Sequence, residues 1–348
     1  MSASPREPEF NKIRESSRPL TAVVIMIAGL ILLGILTGIS IATGSSSISL
    51  STVWQAVIHF NPDLQQHQVI RELRIPRALA GVLVGACLAV AGALMQGLTR
   101  NPLADSGLLG LNAGAGFAIA ICFAFVPSVG STGLMLFSFA GAAIAVGIVY
   151  GIGSLTRGGI TPIRLTLAGA AVSALFVALS TGIAVYFNLG LELSFWYSGG
   201  LGGTKWTQLD MVFPWAVLAL AGALLLSRPV TLLNLGEEVA SGLGLRTGWV
   251  KAACLLVVMV LAGASVSVAG MIAFVGLIVP HLARSLVGVD YRLIIPCSAV
   301  MGSLLVVSAD IAGQWLDPNY GIPLGAVIAL LGVPFFIFFI RRSGRGLI

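Results

Sequence analysis

The segment from Arg71 to Leu111 constrains the fold most, because a long uncharged run follows a cluster of three arginines. The run from Ala78 to Thr99 carries no charge, and at ~1.5 Å per residue a helix of this length crosses a hydrocarbon core of ~30 Å. Small residues occupy every fourth position of the run and leave one helix face nearly flat: Gly81, Gly85, Ala89, Ala93 and Gly97. In lipid such a face lets another helix approach closely. The segment therefore predicts a tightly packed transmembrane helix.

Composition places the other apolar runs in a membrane as well. The 348 residues are 57% hydrophobic and 9% charged, whereas a soluble domain carries about 25% charged residues. The net charge of +6 does not indicate nucleic-acid binding, because the basic residues are scattered between apolar runs and form no basic face. The four cysteines lie in apolar segments without CxxC spacing, which favours small buried side chains over a disulfide or a metal site.

The apolar runs predict an all-α integral membrane protein with about ten transmembrane helices. The expected spans are Leu20–Ala42, Ala78–Thr99, Gly107–Val126, Gly133–Leu155, Leu165–Phe187, Met211–Ser227, two within Trp249–Gly288, Leu293–Ala309 and Gly321–Ile340. The run from Trp249 to Gly288 is too long for one crossing, since as a single helix it would measure roughly 60 Å. We therefore expect a break near Ser265–Gly270. A short amphipathic piece, Val53–Phe60, is expected at the outer surface.

This topology puts both termini in the cytoplasm. Residues 20–341 are expected to form one transmembrane domain, with cytoplasmic tails at 1–19 and 342–348 and a long cytoplasmic loop at 228–251. Of the nineteen Lys and Arg residues, only Arg71, Arg74, Arg77 and Lys205 then lie on the outer side. Such a bias towards the cytoplasm supports the orientation.

The spans lack the groups that would power transport. No span carries a charged residue near its middle, because Asp105 is expected in a turn, Asp310 at an outer helix end and His281 at an inner end. Ion-coupled carriers normally need an intramembrane carboxylate or histidine. A P-loop needs Gly-Lys-Ser/Thr, and none of the three lysines follows a glycine. We therefore expect a conduit without enzymatic activity, metal site or directly bound cofactor, which something outside this chain must drive.

Several motifs follow one another along nearly the whole chain. They are RIPR, GLTRNPLADSGLLGLNAGAG, WYSGGLGG, LNLGEEVASGLGL, GMIAFVGLIVPHLAR and IPLGAVIALLGVPFFIFFI. In this order they resemble the FecCD-type permeases, the membrane subunits of ATP-driven importers of ferric siderophores, haem and cobalamin. The resemblance implies the type II ABC importer permease fold in the bacterial cytoplasmic membrane. It also implies two cytoplasmic ATPase subunits, a second permease copy or a paralogue, and an extracytoplasmic substrate-binding protein.

The inner loop contains the expected ATPase contact. Its segment NLGEEVASGLGL has Glu237 and Glu238 where a short helix would begin and glycines where it would end, and each suits its terminus. The resemblance implies that this segment is the coupling helix inserted in the ATPase. The implied contact residues are Asn234, Leu235, Gly236, Glu237, Glu238, Ser241, Gly242, Leu243 and Gly244. From the residues alone, an ordinary solvated loop is equally consistent.

Two further sites follow from the resemblance. Arg74 and Arg77 break the positive-inside trend and would attract an acidic partner, and the resemblance implies that they receive acidic residues of the binding protein. The alternative is that both arginine side chains extend to the lipid headgroups. A cytoplasmic gate is expected at Thr161 and Pro162, on a seam between two copies lined by the fifth and tenth spans. An ordinary loop, in which these residues only mark a turn, explains the same sequence.

The sequence departs from the family at the outer end of the ninth span. A third arginine is expected there, but Gln314, Asp317 and Asn319 occupy the region, and Gly321 replaces an acidic residue. These departures change the side chains on the surface where the binding protein is expected to dock. The expected function is permeation of a ferric siderophore, with cobalamin or haem as the alternative substrate and an ion-coupled secondary transporter as the alternative of another class.

Overall fold

The computed structural model describes residues 17–44, 48–155, 162–317 and 322–344, and this part of the chain is helical and contains no strand. The helices are α1 (Pro19–Ala42), α2 (Leu50–Ile58), α3 (Gln65–Val69), α4 (Ile75–Thr99), α5 (Leu111–Phe125), α6 (Ser131–Leu155), α7 (Pro162–Phe187), α8 (Gly190–Ser198), α9 (Trp206–Leu235), α10 (Glu237–Gly242), α11 (Thr247–Ala269), α12 (Val275–Val287), α13 (Tyr291–Leu316) and α14 (Leu324–Gly344). A π-helical turn, Ile70–Arg74, joins α3 to α4, and a 3₁₀ turn, Ser106–Leu109, precedes α5.

Ten of these helices correspond to the expected spans. Seven are long and apolar enough to cross a membrane by themselves, and α5, α12 and α14 are shorter apolar helices. The break in the run after Trp249 lies at residues 270–274, at the C-terminal edge of the expected position. Helix α9 extends beyond Met211–Ser227 at both ends and contains Pro214 and Pro229. The prediction of about ten membrane helices is confirmed, and their orientation in the membrane stays a prediction.

Helix α4 lies at the centre of the bundle and packs against α13, α11, α12 and α9. A Cβ atom at Gly85 would collide with the backbone of Gly302 in α13, and one at Gly92 with the backbone of Gly276 in α12. These contacts bring helix backbones together without intervening side chains, as small residues allow in membranes. The flat face predicted for this helix is therefore a packing face.

Helices α1 and α7 show the opposite pattern, because most of their apolar side chains point away from the chain. In α7 the exposed fractions reach 65% at Leu167 and 74% at Val185. Apolar side chains of this kind face lipid or another protein. The bundle thus has a closely packed centre around α4 and apolar outer helices.

The break between α11 and α12 is a short irregular segment with two left-handed residues, Gly270 (φ 67°) and Phe274 (φ 69°). Gly270 lies against the carbonyl group of Trp196 in α8, and a Cβ atom at Gly332 in α14 would collide with the Phe274 ring. The segment therefore contacts α8 and α14 in addition to joining two membrane helices.

The connection between α4 and α5 turns back into the bundle. The Asp105 carboxylate lies against Gly276, which also contacts the Leu88 carbonyl group and Gly92 of α4. Gly92 is about two turns before the end of α4, so the carboxylate lies ~10 Å from that end. Asp105 lies between the membrane helices, as expected, but the connection that carries it packs against α4 and α12. An ordinary turn was expected at Asp105 because its sequence neighbours, Asn101 and Pro102, are typical of turns.

Candidate functional site

The expected coupling segment forms α10, a short helix joined to α9 through Gly236. Gly236 has a φ of 133°, a conformation that glycine adopts without strain. Three apolar side chains four residues apart point away from the chain, with exposed fractions of 64% at Leu235, 50% at Val239 and 65% at Leu243. Exposed apolar side chains on a connection between two long helices, here called the α10 stripe, are typical of a protein interface. The coupling role of this segment stays a prediction.

An ion pair ties α10 to the first turns of α11. The Lys251 Nζ atom lies 2.7 Å from both carboxylate oxygens of Glu237, and the Thr247 hydroxyl group donates to the same carboxylate at 3.2 Å. The hydrogen bond from Lys251 is the main reason why the pKa of Glu237 lies below its usual value. Movement of α10 would therefore be passed to α11 as well as to α9.

Arg74, one of the two arginines expected to dock a binding protein, is buried within the fold. Its side chain is 8% exposed, and Nη1 donates to the carbonyl oxygens of Ile41 at 3.0 Å and Ala42 at 2.8 Å. These carbonyl groups belong to the last turn of α1, where a cation is favourable. In this conformation the Arg74 guanidinium closes the end of α1 and does not face outwards. Its docking role stays a prediction.

Arg77, the second of these arginines, is engaged in a bidentate ion pair with Asp310 of α13. Arg77 Nη2 lies 2.8 Å from Oδ1 and Nε lies 3.0 Å from Oδ2. The Asp310 side chain is 4% exposed and that of Arg77 28%. Gln314, which stands where the family resemblance implies an arginine, donates to the same carboxylate at 2.8 Å. An acidic docking partner would therefore compete with Asp310 for Arg77.

Arg71 is the exposed member of the arginine cluster. Its guanidinium carbon lies 4.5 Å from the centre of the Phe60 ring, a cation–π arrangement. The Arg71 carbonyl oxygen accepts a hydrogen bond from the Trp206 indole at 2.7 Å. Of the three arginines expected at the outer surface, Arg71 is thus the most accessible one.

A cavity of about 460 Å³ opens beside the Arg77–Asp310 pair. Its walls come from α8, the glycine-rich segment 199–203, the end of α11 and the start of α14. Glu192, Trp196 and Gln208 contribute polar or aromatic groups. The volume lies within the usual range for small-molecule sites, ~300–1,000 Å³. Gly270, the first residue of the break at 270–274, lies in the wall of this cavity.

A second polar cluster lies at the other end of α4 and was missed by sequence reasoning. Arg284 Nη2 donates to the Tyr291 hydroxyl group at 2.8 Å and contacts Gln96 Oε1 at 3.4 Å. Gln96 Nε2 in turn lies 3.2 Å from the carbonyl oxygens of Gly276 and Leu277. Gln96 and Arg284 are 188 positions apart, so no local spacing could have linked them.

The expected gate falls at the edge of the described residues. Thr161 lies outside them, and Pro162 is described only as the first residue of α7. The gate therefore stays a prediction.

The architecture matches a known class of transporter. A structure of an ABC transporter assigned to the metal-chelate type, in an inward-facing conformation, superimposes with a TM-score of 0.80 and 28% sequence identity, over 91% of this chain and 99% of that one. The model of the FecCD transport family matches residues 24–342. The chain belongs to the FecCD transport family.

Individual relatives are similar over almost their full length. The iron(3+)-hydroxamate import system permease protein FhuB of Bacillus subtilis is 48% identical, over 97% of this chain and 88% of that protein. The ferric enterobactin transport system permease protein FepD of Escherichia coli is 40% identical, over 92% of this chain and 96% of that protein.

Proposed function

We propose that this chain is the transmembrane permease subunit of an ATP-binding-cassette importer that translocates a ferric siderophore. The observation that carries the proposal is the 48% identity to an iron(3+)-hydroxamate permease along 97% of the chain. A ferric hydroxamate is therefore the first substrate to test. Such a chelate presents its iron already wrapped by ligand atoms, so the apolar helices need not supply metal ligands of their own.

The energy comes from a partner in this proposal. ATP binds to two cytoplasmic ATPase subunits, and the permease is neither an enzyme nor the holder of a cofactor. The stripe of Leu235, Val239 and Leu243 supports docking of α10 in an ATPase cleft, because these apolar side chains are exposed on a cytoplasmic loop. The acidic side chains Glu237 and Glu238 flank the stripe and favour a cleft with basic residues.

The permeation path runs between two permease copies, or between this chain and a paralogue, along α7 and α14. The apolar exposure of α7 supports this placement, and Thr161 and Pro162 would then lie at the inner gate. A substrate-binding protein docks on the opposite face, where Arg71 is accessible and Arg77 is held by Asp310. The complex lies in the cytoplasmic membrane of a bacterium, with both termini of this chain inside.

Purification and uptake test the proposal together. The tagged chain is extracted from its native membranes, and co-purified subunits are analysed for ATPase activity. Vesicles with the complex are then given a ferric hydroxamate labelled with radioactive iron, with ferric enterobactin, haem and cobalamin as competitors. We expect an ATPase to co-purify and uptake to require ATP. The control complex carries an ATPase whose Walker lysine is replaced by alanine.

Three outcomes would contradict the proposal in different ways. Uptake that persists with the Walker-lysine variant, or that stops with a protonophore while ATP is maintained, would establish an ion-coupled carrier. Uptake of haem or cobalamin in preference to ferric chelates would correct the substrate and leave the importer class in place. A purified chain without any ATPase partner would remove the importer class.

A further inference from the structure

Four helices meet at one polar cluster on the side of the bundle that carries α10. Thr231 of α9 accepts a hydrogen bond from the backbone N–H of Tyr291, the first residue of α13, at 3.1 Å. The Thr231 hydroxyl group donates to the Ser227 carbonyl oxygen at 2.9 Å. Thr231 thereby satisfies one of the N–H groups that have no partner within α13 itself. Helix α9, which leads directly into α10, is thus bonded to the start of α13.

The cluster continues from α13 to α12 and α4. The Tyr291 hydroxyl group accepts from Arg284 at 2.8 Å, and Arg284 also contacts Gln96. Tyr291 is 0% exposed, so its ring cannot turn away into solvent. Gly97 fits this packing, because a Cβ atom there would lie 2.8 Å from the Tyr291 ring. The positions of Tyr291 and Arg284 therefore depend on each other and on α4.

Arg284 is bound in an unusual way for a partly buried cation. Its acceptors are a hydroxyl group and an amide oxygen, and no carboxylate of the described residues lies within ion-pair distance. Its Nε atom is buried without a hydrogen-bond partner among them. Because the neutral acceptors hold the guanidinium less strongly than a carboxylate would, their geometry can change without separating an ion pair.

The cluster ends at the break between α11 and α12. Gln96 binds the carbonyl oxygens of Gly276 and Leu277, which immediately follow the irregular residues 270–274. That segment contacts α8 and α14 and borders the outer cavity. Hydrogen bonds and the Tyr291 side chain therefore connect the helix that carries α10 to the first turn of α12, directly after the segment that borders the cavity.

We propose that Arg284 and Tyr291 are positioning residues that couple movement of α9 and α10 to the break at 270–274. In this proposal, displacement of α10 shifts α9 and moves Tyr291 through Thr231. Arg284 follows Tyr291 and draws α12 and Gln96 with it, so that the break changes its conformation. The inference rests on the proposed function, because ATP-dependent displacement of α10 is its starting point. In this proposal the break is the element that changes between two arrangements, as such coupling requires.

The direct test is Tyr291→Phe in the complete importer, with ATPase and binding protein, reconstituted in vesicles. The variant removes one hydroxyl group and retains the ring that packs on Gly97. We expect ATP hydrolysis to continue while import of a ferric hydroxamate per ATP falls by at least about fivefold, the lower end of typical coupling between sites. The matched control is Tyr150→Phe in α6, because the Tyr150 hydroxyl group makes no hydrogen bond to the described residues.

A second measurement follows the break itself. Ala273 is exposed within the break, and the four cysteines are buried and can be replaced by alanine or serine. The Ala273→Cys variant is treated with a maleimide that does not cross membranes, with and without ATP. We expect ATP to change the labelling rate in the otherwise unaltered importer and in Tyr150→Phe, but not in Tyr291→Phe. Thr231→Val, which removes another hydroxyl group of the cluster, should have the same effect as Tyr291→Phe.

The outcomes separate coupling from mere packing. Equal losses of ATP hydrolysis, import and assembled complex in Tyr291→Phe would show a structural role and overturn the inference. An unchanged ratio of import to hydrolysis would overturn it as well. If Tyr291 and Arg284 are coupled, the loss of import per ATP in the double variant Tyr291→Phe with Arg284→Gln should differ from the sum of the losses in the two single variants. Failure of the unaltered complex to import ferric chelates would instead refute the proposed function.

Discussion

The two ends of α4 are held by different chemistry. At one end Arg77 forms a bidentate ion pair with Asp310 of α13, and at the other Gln96 and Arg284 meet a hydroxyl group and backbone carbonyl oxygens. The ion pair lies beside an open cavity, whereas the Arg284 cluster, whose acceptors are neutral, surrounds the fully buried Tyr291. The first is open to competition by a charged partner, and the second can respond only to movement of the helices.

This difference fits the tasks that the proposed function gives to the two faces of the permease. A binding protein arrives and leaves, so a surface that recognises it needs charges that can exchange partners. The ATPase side must transmit displacement reversibly, and a strong ion pair at that place would resist it. Neutral acceptors around one cation allow small shifts, because no full charge separation is required.

The largest effect should come from the middle of α4, on whose close packing both ends depend. Gly92→Val puts a branched side chain where the Gly276 backbone already lies, and helix backbones cannot yield as flexible side chains do. We expect a loss of stability above about 4 kcal/mol, the tail of single-substitution effects, and no monodisperse protein after detergent extraction. Size-exclusion chromatography measures this outcome.

The matched control for that variant is Gly34→Val. A Cβ atom at Gly34 of α1 would meet nothing within 4 Å, so this substitution should leave the elution profile as it is. A folded Gly92→Val protein with the elution profile of the unaltered chain would contradict the close approach of α4 and α12.

An intermediate effect is expected at the charged end. Asp310→Asn retains the shape of the side chain but leaves the Arg77 charge without its partner. Removing one member of a buried pair costs about 3–5 kcal/mol, and because Arg77 remains 28% exposed, we expect about 2–3 kcal/mol. Unfolding of the purified protein in denaturant measures the change. Asp210→Asn, at an exposed carboxylate of α9, should change the stability by less than about 0.5 kcal/mol.

The same variant sharpens the docking hypothesis. If Asp310 competes with an acidic docking residue for Arg77, Asp310→Asn should raise the affinity of the binding protein in a pull-down while it lowers the stability of the permease. Lower stability with unchanged affinity would restrict Arg77 to a structural role and leave docking to other groups.

The sequence predicted what depends on local pattern and missed what depends on contacts between distant residues. The helices were predictable from uncharged runs, and the packing face of α4 from the spacing of Gly81, Gly85 and Gly97. The inward position of Arg74 was not, because the π-helical turn at Ile70–Arg74 changes which side chains point outwards. Asp105 was assigned to a turn, since nothing in its neighbours shows that the connection folds back towards Gly276.

Helix α10, the expected coupling helix, illustrates both cases. Its position and its acidic start were visible in NLGEEVASGLGL, and α10 begins at Glu237. Its attachment was not visible, because Lys251 lies in the next helix. The Arg284–Tyr291–Gln96 cluster is the extreme case, since Gln96 of α4 lies 188 positions before Arg284.

The smallest effect is expected at the ion pair between Glu237 of α10 and Lys251 of α11. The Glu237 carboxylate is 44% exposed, so Glu237→Gln should lower stability by less than about 1 kcal/mol. Because the pKa of Glu237 is lowered in the folded protein from 4.5, the contribution is present above that value and is lost as the pH falls through the lowered pKa. Denaturant unfolding should therefore show a constant difference from the unaltered chain between about pH 6 and pH 8, and a vanishing one in stronger acid. A difference that grew on acidification would mean that Lys251 does not stabilise the charged form of Glu237, and α10 would then be attached to the bundle through α9 alone.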